Sequence, residues 1–135
     1  MLKLIIGVKG TGKTKTLIGL VNEAVSNSSG AVICIEKGEK LRYDVKYQAR
    51  LINTDEYFVD DAQALFGFVA GIFASNHDVT DLFIDSALKI CQNDSAAFDK
   101  FLDEMNALVE KLNINVVMTS SLPVENASET VKKFI

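Results

Sequence analysis

Eight residues near the start of the chain, Gly7-Val8-Lys9-Gly10-Thr11-Gly12-Lys13-Thr14, have the types and spacing needed to hold a row of phosphates. They fit G-x-x-x-x-G-K-[ST], in which glycines let the backbone curl around an anion with its N–H groups turned inward. Lys13 has the reach to meet the β- and γ-phosphates of a nucleotide, so it is both a binding and a catalytic candidate. The Thr14 hydroxyl is a hard oxygen suited to Mg²⁺. Lys15 follows in the expected first helical turn, where the positive end of a helix adds to the same spot. The expectation is that Gly7 to Lys15 bind a nucleoside triphosphate together with Mg²⁺.

A second chemical element is Leu82-Phe83-Ile84-Asp85, an apolar run ending in a carboxylate. Mg²⁺ prefers oxygen ligands and keeps much of its water shell. An Asp at a strand end can hold one of those waters while Thr14 ligates directly, which makes Thr14 and Asp85 the candidate metal ligands. Asp81 precedes the apolar residues and belongs to the opposite strand end. The single His77 lies in a polar stretch without Cys or His at metal spacing and reads as a surface loop residue.

These residues need a scaffold that brings distant segments together. Leu2 to Ile6 reads as a strand, and Leu17, Ile18, Val21, Ala24 and Val25 recur at helical spacing over roughly Lys13 to Ser26. Ala31 to Glu36 is a continuous apolar run, as in a strand covered on both faces. From Leu41 to Leu51, residues Leu41, Tyr43, Val45, Tyr47, Ala49 and Leu51 alternate with polar ones, a half-exposed strand or hairpin signal, with a short edge strand expected near Arg50–Asn53. Asp60 or Asp61 should cap a helix with Ala62, Leu65, Phe66, Val69, Ile72 and Phe73 on its apolar stripe. Gly67 and Gly71, four apart, point to close packing of that helix. A strand over Asp81–Asp85, a helix opened by Asp94 or Ser95, a strand over Ile114–Thr119 and a short helix after Val124 complete the series. Strands alternating with helices predict an α/β fold, three layers α/β/α, with a mainly parallel sheet of about five strands and ligands at the C-terminal strand ends.

Composition narrows the function classes. A chain of 135 residues that is 48% hydrophobic is expected to form a single domain, residues 1–135, with one core. A net charge of −4 gives no long-range reason for binding nucleic acid. No stretch is long and apolar enough to span a bilayer, and the N-terminal residues read as a strand rather than a signal peptide. Cys34 lies within an apolar strand as a buried reduced thiol, and Cys91 in an unrelated segment, so a cytoplasmic location is expected.

The loop, the strand ending Asp85-Ser86-Ala87-Leu88, and the segment Asn113 to Ser121 together resemble P-loop NTPases, more narrowly the RecA-type and KaiC-type ATPases. The resemblance implies that the loop is a Walker A motif and the Asp85 strand a Walker B strand, with ATP and Mg²⁺ as ligands. It also implies that the Thr119 strand lies between the Gly7 strand and the Asp85 strand. Thr119 or Ser120 would then sense the γ-phosphate, and Glu36 or Glu39 would orient the attacking water. Both glutamates have an alternative as solvated charges in a Lys/Glu-rich loop. No Glu directly follows Asp85, and Arg42 and Arg50 are the only arginines that could serve as an arginine finger. The implied function is a Mg-dependent, slow ATPase or nucleotide-dependent switch, with a homo-oligomer or another protein partner left open. The competing expectations are a small-molecule kinase, disfavoured by the scarcity of arginine, and an interaction module with a structural nucleotide, in which the tyrosines of the Leu41–Leu51 segment form the partner surface.

Overall fold

The computed structural model describes residues Met1–Ile135. Five strands form one all-parallel sheet: β1 (Leu2–Gly7), β2 (Ala31–Glu36), β3 (Arg50–Asn53), β4 (Val79–Ile84) and β5 (Asn115–Ser121), in the order β1-β5-β4-β2-β3. The helices are α1 (Lys13–Asn27), α2 (Ala62–Ser75), α3 (Ala87–Ile90), α4 (Ser95–Leu112) and α5 (Glu129–Lys132). No helix is long and apolar enough to cross a membrane.

The order of the strands explains which helix covers which face. The chain steps away from β1 to β2 and β3, then returns through β4 and β5. Right-handed crossovers that run in opposite directions across a sheet place their helices on opposite faces. Accordingly α1 packs Leu17 and Val21 against Val32, Cys34, Phe83 and Val117, while α2 and α4 pack Leu65, Val69, Phe98 and Met105 against Ile33, Ile35, Leu82, Ile84, Val116 and Met118. Alternate residues of β2, β4 and β5 thus feed two cores, which is why their apolar runs are unbroken. The helices that cover the second face are capped by Asp61, which accepts from the Ala64 N–H, and Asp94, which accepts from the Ala97 N–H.

Two expectations about local structure are corrected. The Leu41–Leu51 alternation does not form a hairpin: residues 41–49 are a series of turns, with only the edge strand β3 beyond them. Leu41, Val45 and Ala49 are buried at a spacing of four and extend the α1 face, whereas Tyr43 and Tyr47 are 86% and 90% exposed. Two of the six residues of the apparent apolar stripe therefore face water, because tyrosine tolerates either side of a surface. Gly67 and Gly71 do not pack closely either; both face solvent, and an added Cβ at either would meet no atom within 4 Å. The short helix α3 between Asp85 and α4 was not signalled by any periodicity.

Candidate functional site

The site forms where β1, β4 and β5 end. α1 leaves β1 toward one face and the chain beyond β4 leaves toward the other, so a crevice opens between them, the usual ligand position in open α/β sheets. A cavity of about 500 Å³ lies there, lined by segments from the Gly7–Thr14 loop, from the ends of β4 and β5, and from the loop after β2.

The loop's backbone requires its glycines. Gly10 and Gly12 have φ of 85° and 84°, in the left-handed region that side chains rarely adopt. A Cβ built at either glycine would touch nothing in the protein, so the openness of the loop is not filled from within. The Thr11 hydroxyl donates to the Val8 carbonyl at 2.8 Å, and the Lys13 ammonium crosses the loop to the same oxygen, also at 2.8 Å. Gly12 caps α1 without a side-chain acceptor, unlike the Asp-capped α2 and α4, and no acidic residue lies in the first turn of α1. The leading N–H groups of α1 are thus left for an acceptor from outside the helix.

Asp85 follows the last residue of β4, and its N–H donates to the Ile35 carbonyl of β2 at 2.9 Å. Its carboxylate is met from both sides. The Thr14 hydroxyl donates to Oδ1 and Oδ2 at 3.1 and 3.3 Å, and the Thr119 hydroxyl donates to Oδ1 at 2.7 Å. Thr119 in turn accepts the Ser86 N–H at 2.8 Å. The neighbouring Ser120 accepts the Leu88 N–H at 3.2 Å and does not line the cavity, whereas Thr119 and Ser121 of β5 both do. Ser86, Gln92 and Asn93 all have positive φ, and Ser86 and Asn93 line the cavity. Non-glycine residues in that region each cost about 1–2 kcal/mol, a strain that tends to collect beside functional sites.

Five lysines line the cavity, Lys9, Lys13, Lys15, Lys40 and Lys89, against one carboxylate, Asp85. This is a local inversion of the chain's net charge of −4, and it favours a polyanion. No group of three or more His, Cys, Asp or Glu side chains is placed to hold a metal. A divalent cation at Thr14 and Asp85 would have to draw its other ligands from phosphate and water, the habit of Mg²⁺ rather than of zinc. The donor set, a threonine hydroxyl beside a carboxylate under a lysine-lined loop, therefore fits Mg²⁺ with a phosphorylated ligand.

Of the residues expected at the site, Lys9, Gly10, Gly12, Lys13, Thr14, Lys15, Asp85 and Thr119 line this one cavity. Gly7 and Val8 support it from the loop, and Thr11 bonds across it. Glu36 and Glu39 line a separate groove of about 220 Å³ beside β3, together with Arg42 and Arg50. Glu39 lies 3.7 Å from Arg42. Neither arginine lines the cavity at the Gly7–Thr14 loop. Glu36 is not the solvated charge of the alternative expectation: it is 2% exposed. Burial raises its pKa above the ordinary value, opposed by the N–H groups of Leu41 and Lys40 and assisted by the charges of Asp85 and Glu39. Burial also pushes the Cys34 thiol up to about 12, with Glu36 and Asp85 adding to the effect.

Lys40, Lys89, Ser86 and Asn93 were not anticipated. They come from the segments after β2 and β4, Lys89 from α3, and only the strand order brings those segments to β1. Lysines shortly after two core strands were the available signal. No protein-family model matches the chain, and no curated protein matches it.

Proposed function

We propose that the chain binds a nucleoside triphosphate with Mg²⁺ at the Gly7–Thr14 loop and acts as a slow ATPase or nucleotide-dependent switch. The observation that carries this reading is the hydroxyl–carboxylate–hydroxyl chain Thr14–Asp85–Thr119, assembled from three distant segments at the mouth of a glycine loop. In it Thr14 ligates the cation directly, Asp85 holds a cation-bound water, and the loop N–H groups and Lys13 take the phosphates. Thr119, which donates to the Asp85 carboxylate and lines the same cavity, would respond to the terminal phosphate. Mg²⁺ would supply charge neutralisation between the phosphates. No Asn-Lys-x-Asp segment for reading guanine occurs in the sequence, which favours ATP over GTP. Because Arg42 and Arg50 line the other groove, no arginine of this chain serves the phosphates, and unaided turnover is slow.

The test is calorimetric titration of the protein with ATP and GTP in the presence of Mg²⁺, with Lys13→Ala in parallel and phosphate release followed in the same samples. ATP binding that falls at least about tenfold in Lys13→Ala supports the reading, as expected for the loss of a charged contact. Equal affinity in the two proteins, or no binding in either, refutes it.

A further inference from the structure

The segment from Lys37 to Leu41 is held more firmly than a charged surface loop needs to be. Glu36, at the end of β2, accepts the Lys40 N–H at 2.9 Å through Oε1 and the Leu41 N–H at 3.2 Å through Oε2. Asn53, at the end of β3, accepts the Gly38 N–H at 2.8 Å. Lys37 is tied to Asp55 at 2.6 Å, and Leu41 is 2% exposed beneath the loop. Three consecutive-turn N–H groups are thus bound by two side chains. A buried carboxylate that accepts backbone N–H groups fixes a loop in one geometry, and removing it leaves those donors without partners.

That geometry carries Lys40 into the phosphate-loop cavity, whose lining includes Lys40 and Leu41 but not Glu36. Lys40 makes no ion pair within the protein, although Glu36, Glu39 and Asp44 are close in sequence. It enters the cavity from the β2 side, across β4 from the phosphate loop, where Asp85 and Thr119 lie between. On the nucleotide-binding reading, with the terminal phosphate beside the Thr14–Asp85–Thr119 chain, Lys40 would approach that phosphate from the side opposite the loop.

We infer that Lys40 is a cis-acting cation for the terminal phosphate, distinguishing triphosphate from diphosphate, and that Glu36 is the positioning residue that aims it. This rests on the nucleotide-binding reading above. It gives Glu36 a different task from activating water: both its oxygens accept loop N–H groups, and it does not line the cavity in which a water would attack the phosphate.

The experiment compares Mg·ATP and Mg·ADP affinities by calorimetry in the parent, Lys13→Ala, Lys40→Ala, Lys40→Arg, Glu36→Gln and, as a control outside the cavity, Lys111→Ala on the exposed face of α4. Lys40→Ala is expected to lose about tenfold more affinity for ATP than for ADP, as for loss of one charge-assisted contact. Lys40→Arg retains the preference, and Lys111→Ala behaves as the parent. Glu36→Gln loses the preference as Lys40→Ala does, and combining the two adds nothing further. Unchanged ATP preference in Lys40→Ala overturns the inference, and since Lys40 is exposed this holds even if Glu36→Gln does not fold. Glu36→Gln with full ATP preference but no phosphate release also overturns it, making Glu36 a base. A parent that binds neither nucleotide, or binding untouched by Lys13→Ala, removes the underlying reading and the inference with it. A parent whose binding depends on Lys13 while Lys40→Ala changes nothing removes the inference alone.

Discussion

At the scale of single residues, the groups that matter are charged or reactive side chains placed where water is scarce. Glu36 is held above its ordinary value near 4.5 chiefly by burial. The folded state therefore binds its proton more tightly than the unfolded chain does. The stability this contributes is fully present below the ordinary value and is lost as pH rises through the raised one. Glu36→Gln removes that dependence while leaving every other carboxylate in place. In urea unfolding from about pH 4 to about pH 7, the parent should lose stability relative to Glu36→Gln as pH increases. A constant difference across that window would show that the carboxyl is not shifted. The two thiols make a simpler test. Cys34 and Cys91 are both pushed up to about 12 by burial, so neither supplies thiolate for attack near neutrality. Iodoacetamide should leave both unmodified in the folded protein and alkylate both in denaturant, with mass spectrometry as the readout.

At the scale of elements, glycines divide by what surrounds them. Gly67 and Gly71 sit in the interior of α2 with open space where a Cβ would go. Alanine there limits the unfolded chain without a clash, and each substitution should stabilise by about 0.5–1 kcal/mol. At Gly30 a Cβ would run into the Asp78 carbonyl and the Thr80 methyl, so Gly30→Ala should destabilise by about 1–3 kcal/mol. Thermal melts of the three variants check both signs. The same pair shows what could be read from sequence. Gly67 and Gly71 share a helix face, and spacing alone cannot say whether that face meets another helix or water. The strands and capping aspartates were legible because an unbroken apolar run, or an Asp three residues ahead of a free N–H, has one structural use. The Leu41–Leu51 segment misled because its tyrosines counted as apolar while lying in turns. The Thr14–Asp85 pairing was legible through the chemistry of Mg²⁺. The entry of Lys40 and Lys89 was not, since it depends on β5 and β4 standing between β1 and β2.

At the scale of the whole molecule, the distribution of charge matters more than its sum. A chain of net charge −4 gathers five of its 14 Lys and Arg residues around one cavity with a single carboxylate. In the free protein these lysines repel one another, and a bound polyanion turns that repulsion into attraction. A ligand that binds only the folded state adds about 2.7 kcal/mol of stability when present at 100 times its Kd. For a chain of this size each kcal/mol raises Tm by roughly 3 °C, so Mg·ATP should raise Tm by roughly 8 °C. The shift should shrink when Mg²⁺ is chelated, because ATP then brings more negative charge onto Asp85 without the cation proposed to sit at Thr14 and Asp85. It should also shrink as salt rises from about 0.1 M to about 1 M, over which the Debye length falls from about 10 Å to about 3 Å. Differential scanning fluorimetry with and without EDTA, at both salt concentrations, measures all of this on one protein. A shift insensitive to salt would place the ligand away from the lysines, and one insensitive to EDTA would separate the nucleotide from the Thr14–Asp85 pair.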